Sequence, residues 1–185
     1  LATAKNALMI CELAGKPATK VFAGCDQPLG RPLVTAEHVH GKTGLDGPTL
    51  PDPCMALQDQ HAVDFIIETL RAHTAGSITL CALGPLTNIA TAFQKAPDII
   101  EKINKLVLMG GAYFEVGNIT PTGEFNIYVD PQAADIVFKS GADIVVMPLD
   151  VTHKALVTKP RNDAFRAIAT PVSYTHLTLP TTAIV

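Results

Sequence analysis

The sequence contains no tryptophan, and aromatic residues make up only 5% of its 185 residues. This scarcity argues against a surface built to stack the bases of a single-stranded nucleic acid. The formal net charge at pH 7 is −3, so the chain also lacks the basic field that attracts DNA or RNA. We therefore expect no nucleic-acid partner.

Long apolar runs are missing as well, since every run is far shorter than the ~20 residues that a membrane helix needs. The four cysteines contain no C-x-x-C pair, which argues against a zinc site or a redox motif. Cys11 and Cys81 lie in apolar runs, and we expect both to be reduced core residues. These features predict a cytoplasmic protein without a membrane segment.

Short apolar runs alternate with amphipathic segments along the chain. The runs predict four adjacent strands, at residues 21–23, 77–82, 106–109 and 144–147. Strands that are apolar on both faces and separated by helices are typical of the α/β class. We therefore predict an open, mostly parallel sheet with helices on both faces. Neither G-x-G-x-x-G nor a P-loop sequence occurs, which argues against a dinucleotide or P-loop site.

One polar loop, residues 118–126, lies between a predicted strand and a helix that opens at Asp130. It carries Asn118, Glu124 and Asn126. Open α/β sheets bind small ligands where strands end and helices begin. Asparagine both donates and accepts hydrogen bonds and ionised glutamate accepts them, so the loop suits a ligand rich in hydroxyl groups. Taken alone, the loop is more typical of turn formation, because Asn, Pro and Gly are ordinary turn residues.

Polar clusters follow each of the four predicted strands. Because parallel strands end at the same edge of a sheet, we expect these clusters to share one rim. They are His38 with His40, Leu83 with Gly84, residues 109–126, and Asp150 with His153. Four clusters at one rim favour a binding crevice.

Several runs of the sequence, in this order, resemble one protein family. Residues 34–41 read VTAEHVHG, residues 82–88 read ALGPLTN and residues 109–111 read MGG. Residues 118–126 read NITPTGEFN, with Asp-Pro soon after. Over residues 1 to about 170 the chain resembles the inosine/uridine-preferring nucleoside hydrolases.

The resemblance implies hydrolysis of the N-glycosidic bond of a purine or pyrimidine ribonucleoside, assisted by a bound Ca²⁺ ion. It also implies a homo-oligomeric parent protein. Asn118 and Glu124 correspond to groups that hold the ribose 5′-hydroxyl, and Asn126 corresponds to a contact with the ring hydroxyls. The remaining matches are a pocket histidine, a residue beside the sugar and a carbonyl ligand of calcium, namely His40, Met109 and Leu83.

Two parts of the family pattern have no counterpart in the sequence. The aspartate cluster D-x-D-x-x-x-D-D, which supplies the calcium site and the general base, is absent, and so is a later His-Asp pair. We therefore expect residues 1–171 to be the central part of a single domain truncated at both ends, without catalytic residues and inactive alone. Residues 172–185 contain no charged side chain and are interpreted as a non-native tail.

Two alternatives remain at this point. The first is a non-catalytic nucleoside- or sugar-binding protein that uses the same rim of polar groups. The second is a glycosidase with a pair of carboxylates, of which Glu124 would be one. The second is weaker, because the rim loops offer no second acid at a matching position.

Overall fold

The computed structural model describes residues 2–46 and 50–169. The tail predicted at 172–185 therefore lies outside the described residues, and the single truncated domain over 1–171 stays a prediction. The helices are α1 (Ala2–Leu13), α2 (Glu37–His40), α3 (Ala62–Ala72), α4 (Thr87–Lys95), α5 (Phe125–Val129), α6 (Pro131–Phe138), α7 (Leu149–Thr152) and α8 (Lys159–Ile168). The strands are β1 (Ile78–Ala82), β2 (Ile103–Met109) and β3 (Ile144–Met147), and a 3₁₀ helix spans Pro97–Lys102.

The chain divides into two compact units. Among the described residues, the first unit comprises 2–23, 35–46, 50–59 and 155–169 and carries α1, α2 and α8. The second unit comprises Gly24–Val34 and Gln60–Lys154 and carries all the strands named above.

Polar contacts tie the segments of the first unit together. The Asn6 amide donates to the carbonyl of Thr43 at 2.8 Å, and the Glu12 carboxylate accepts from the Met55 amide. The strand predicted at residues 21–23 is wrong, because only Phe22 forms a bridge, with Gln58. An isolated bridge orders one residue pair, whereas an apolar run of three residues is too short to fix a strand without a longer partner.

The second unit contains a parallel sheet of three strands in the order β1-β2-β3. The prediction is confirmed for these three strands and for the α/β class. The register aligns Leu80 with Leu106 and Leu106 with Ile144, which forms one apolar row across the sheet. Ala82, Leu108 and Val146 form the next row towards the carboxyl end. These two rows form the apolar face of the sheet on which helices pack.

The core lies on the face of the sheet that carries these two rows. Leu106 and Leu108 are fully buried, and α3, α4 and α6 contribute Val63, Phe93 and Val137 to the same cluster. Helix α4 packs against both α3 and α6. The amphipathic periodicity of these helices thus places their apolar stripes against the sheet.

The opposite face of β1 is open to solvent, since Thr79 and Cys81 are exposed. The prediction that Cys81 is a core residue is therefore wrong, and Cys11 is only half-buried. Successive strand residues point to opposite faces, so an apolar run does not show that both faces are covered. All four cysteines are free thiols, which agrees with the prediction that Cys11 and Cys81 are reduced.

None of the helices within the described residues combines the length and the apolar character needed to cross a membrane.

Replacing Leu108 with alanine should destabilise the second unit, because the fully buried side chain packs between the sheet and its helices. We expect the free energy of unfolding to fall by about 2–5 kcal/mol, measured by urea denaturation. Cys81→Ala on the exposed face of β1 is the control and should change it by less than about 0.5 kcal/mol. Equal effects of the two variants would contradict the position of the core.

Candidate functional site

The polar loop is a tight turn built around the carbonyl of Gly123. This oxygen accepts hydrogen bonds from the amides of Asn118 at 3.1 Å and Ile119 at 3.2 Å. The Gly117 amide donates to the carbonyl of Pro121 at 3.0 Å, which closes the turn from the other side. The loop therefore satisfies its own backbone and needs little apolar packing to keep its shape.

Glu124 terminates this loop and is the N-cap of α5. Its carboxylate accepts from the amides of Asn126 at 2.9 Å and Ile127 at 3.2 Å, and from the amide of Gly111 at 3.0 Å. The residue is only 2% exposed. Helix α5 is not predicted by the sequence, where residues 125 and 126 belong to the loop. Glutamate is not among the preferred N-cap residues, so the sequence does not mark Glu124 as the start of a helix.

The two asparagine amides have orientations fixed by their backbone partners. The oxygen of Asn118 accepts from the amide of Phe125 at 2.8 Å, which leaves its NH₂ group outward on an exposed residue. The NH₂ group of Asn126 donates to the carbonyl of Met109 and contacts its sulfur, both at 3.1 Å. Within the described residues, the Asn118 nitrogen and the Asn126 oxygen have no protein partner. The site thus offers one donor and one acceptor.

The structure brings four of the predicted site residues together. Hydrogen bonds link Met109, Asn118, Glu124 and Asn126 through α5 and the end of β2. Leu83 follows β1 at the same rim, because Ala82 pairs with Leu108, and it is 79% exposed.

His40 belongs to the first unit, and its place in the site stays a prediction. It lies with His38 in α2, and both are exposed. The sequence does not predict this helix. A single turn of helix gives too short a periodic pattern to be recognised from the sequence.

Asp150, at the start of α7, binds the loop that follows β2. Its carboxylate accepts from the amides of Tyr113 and Phe114, both at 2.9 Å. These contacts, that of Tyr113 first, hold the pKa of Asp150 below its usual value, although partial desolvation opposes them. Because the pKa of Asp150 is lowered in the folded protein, these contacts stabilise the fold at neutral pH. That stabilisation is lost as the pH falls through the lowered pKa.

A second buried carboxylate joins distant segments of the second unit. Asp130 is fully buried and caps α6 through the amide of Ala133 at 3.0 Å. Its other oxygen accepts from the Thr87 hydroxyl at 2.6 Å and from the Leu29 amide at 3.0 Å. The sequence predicts the cap and the helix-opening proline but not the two long-range donors, because nothing in the local pattern marks them.

The described residues do not fit a complete calcium site. Within 2–46 and 50–169, no group of three or more histidine, cysteine, aspartate or glutamate side chains could hold a metal ion. Calcium takes 6–8 oxygen ligands, and the Leu83 carbonyl would supply one of them.

A parallel α/β sheet with a rim of carboxamides and capped helices defines a candidate small-molecule site at the strand ends. Residues 1–183 match the family model described as inosine-uridine preferring nucleoside hydrolase. The chain therefore belongs to this family.

The relatives support the same assignment. The chain is 55% identical over 152 residues to an uncharacterized protein of Schizosaccharomyces pombe, covering 82% of this chain and 49% of that protein. It is 46% identical over 171 residues to the pyrimidine-specific ribonucleoside hydrolase RihA of Escherichia fergusonii, covering 92% of this chain and 54% of the relative. The chain thus spans about half the length of these curated relatives.

A solved structure, the purine-preferring ribonucleoside hydrolase from Gardnerella vaginalis, superposes with a TM-score of 0.88 at 35% identity. The match covers 96% of this chain and 57% of the other. The likeness confirms the α/β fold predicted from the sequence.

Gly117→Ala should distort the polar loop. An added Cβ would lie 2.2 Å from the Thr120 carbonyl oxygen and 2.4 Å from both the nitrogen and the oxygen of Gly123. We expect a loss of about 1–3 kcal/mol in the free energy of unfolding, measured in urea. Gly84→Ala is the control, since a Cβ there meets no atom within 4 Å. A Gly117 variant as stable as the control would contradict the loop geometry.

Proposed function

We propose that the protein carrying this chain is an N-glycosyl hydrolase that converts a ribonucleoside and water into ribose and a free base. Membership of the nucleoside hydrolase family supports the reaction class. The single observation that carries the proposal in this chain is the pair of oriented carboxamides at the end of β2.

A ribose hydroxyl can donate one hydrogen bond and accept others, so it complements both carboxamides. The outward NH₂ group of Asn118 donates to one hydroxyl, and the oxygen of Asn126 accepts from another. Met109 holds the Asn126 amide by its carbonyl and lies beside the sugar. In this arrangement the backbone partners fix both amides before the ligand arrives, which reduces the entropy lost on binding.

Glu124 has a dual role in the proposal. Three backbone amides engage its carboxylate, and an ionised carboxylate offers about four acceptor sites. The remaining site accepts from the ribose 5′-hydroxyl. Because the residue is only 2% exposed, its carboxylate can reach only a hydroxyl that enters the loop closely.

Calcium and His40 complete the proposal from outside this cluster. The Leu83 carbonyl would be one calcium ligand, and carboxylates in the part of the family's length that this chain does not cover would supply the others. His40, exposed at the end of α2, would contact the substrate. The position of Leu83 just after the carboxyl end of β1 supports this role, since the residue is 79% exposed.

The relatives differ in base preference by name. RihA is called pyrimidine-specific, whereas the Gardnerella vaginalis enzyme is called purine-preferring. Assays should therefore use uridine and inosine side by side. A cytoplasmic location is proposed with the support of four free thiols. The homo-oligomeric parent stays a prediction.

Asn126→Ala, in a full-length protein carrying this chain, should lower kcat/KM for uridine or inosine by roughly 5- to 100-fold. A lost ribose hydrogen bond is worth on the order of 1–3 kcal/mol, and truncation also frees the Met109 carbonyl. The measurement is the rate of free-ribose release. Asn104→Ala is the matched control, because this exposed amide has, within the described residues, one side-chain hydrogen bond, to the Thr79 hydroxyl. Equal kinetics of both variants would refute the role of Asn126, whereas nucleoside binding without release by the wild type would favour a binding protein.

Residues 1–185 expressed alone should release no ribose above background. The described residues lack a cluster of side chains for a cation, and their rim carboxylates are occupied by backbone amides. The test adds calcium and either uridine or inosine to the purified chain and measures free ribose, with RihA as the positive control. Release at a rate comparable with that of RihA would show that the chain contains catalytic groups that we have not identified.

A further inference from the structure

The loop between β2 and the polar turn, residues 112–116, lacks apolar packing at its tip. Tyr113 is 70% exposed, Phe114 is 99% exposed and Val116 is 70% exposed. Since buried side chains hold most loops in place, this loop must depend on its polar contacts for a fixed position.

Asp150 supplies the two central contacts, since one carboxylate oxygen accepts from the amide of Tyr113 and the other from the amide of Phe114. Both distances are 2.9 Å, which is typical of charge-assisted hydrogen bonds. A weaker contact at 3.3 Å joins Glu115 to His153. One side chain thus fixes two successive peptide groups of the loop.

Gly111, at the start of the same loop, forms hydrogen bonds with two partners. Its carbonyl accepts from the amide of Leu149 at 2.9 Å, immediately before Asp150. Its own amide donates to Glu124 at 3.0 Å. The positive φ of +79° at this glycine lets its two flanking peptide groups each face one of these partners. Residues 112–114 are therefore separated from the donor to Glu124 by a single residue, Gly111.

We propose that Asp150 is a positioning residue for the ribose site, which keeps the Gly111 amide on Glu124 by fixing the peptides of Tyr113 and Phe114 to α7. The inference rests on the proposed function of the 109–126 segment as a ribose site. Without Asp150 the loop loses two of its polar contacts, Glu124 loses one of three donors, and the carboxylate no longer keeps one orientation.

The test compares Asp150→Asn with the wild type in a full-length protein carrying this chain. Asparagine keeps the size but has only one acceptor oxygen, and its NH₂ group faces a backbone amide. We expect KM for uridine or inosine to rise roughly fivefold or more, as for one lost hydrogen bond, while kcat changes less than about twofold. A purely structural role would instead lower the active fraction, and hence kcat, at unchanged KM.

Two further variants complete the design. Asp135→Asn is the matched control, because Asp135 on α6 forms a surface ion pair with Lys139 at the end of that helix, away from the 112–116 loop in sequence. Asp150→Glu restores a carboxylate and should have a KM between the values of the wild type and the asparagine variant. If Asp150→Asn does not fold, Asp150→Ser, which also lacks the carboxylate, tests the proposal in its place, and a KM equal to that of the wild type would overturn it.

Amide hydrogen exchange gives a second readout that does not need activity. The amides of Gly111, Tyr113 and Phe114 should exchange faster in Asp150→Asn than in Asp135→Asn. Unchanged exchange and unchanged KM would overturn the inference. A wild-type protein that fails to hydrolyse either nucleoside refutes the proposed function instead, and the exchange data then still decide whether Asp150 holds the loop.

Discussion

The second unit depends on one buried carboxylate that is satisfied by backbone amides. Glu124 receives three N–H groups, from the first turn of α5 and from Gly111. An unpaired buried charge would cost several kcal/mol, so the loop, the helix and the end of β2 must keep the positions that supply these donors. The same constraint orients Asn126 towards Met109. The shape of the candidate site therefore follows from the requirement to satisfy Glu124.

A second carboxylate repeats this arrangement one helix further along the chain. Asp130 caps α6 and also accepts from the Thr87 hydroxyl, which brings the start of α4 to the same point. Its contact with the Leu29 amide adds the segment that precedes α3. Together with Asp150, these groups place three aspartate or glutamate side chains on backbone donors near the strand ends. The rim is thus preorganised by acceptors that the protein itself largely occupies, and the asparagine amides and one acceptor site of Glu124 remain for a ligand.

The sequence predicts the features that depend on local patterns. The apolar runs identify β1, β2 and β3, and Asp130 followed by proline identifies the start of α6. The sequence fails where structure depends on distant partners: residues 21–23 form only a bridge, and α5 follows from the capping by Glu124. The pairing of Asp150 with Tyr113 spans 37 positions, and no periodicity reports such a contact. Motif resemblance supplies the candidate site residues, and only coordinates reveal which atoms of each amide remain available.

The most direct test of the central claim is a crystal structure of a full-length protein carrying this chain with ribose bound. The account predicts ribose hydroxyls within about 3.2 Å of the Asn118 nitrogen and the Asn126 oxygen. Glu124 should keep its three backbone amides in that complex. Ribose bound elsewhere, or at this loop without contact to either asparagine, would contradict the assignment of residues 118–126 as the ribose site.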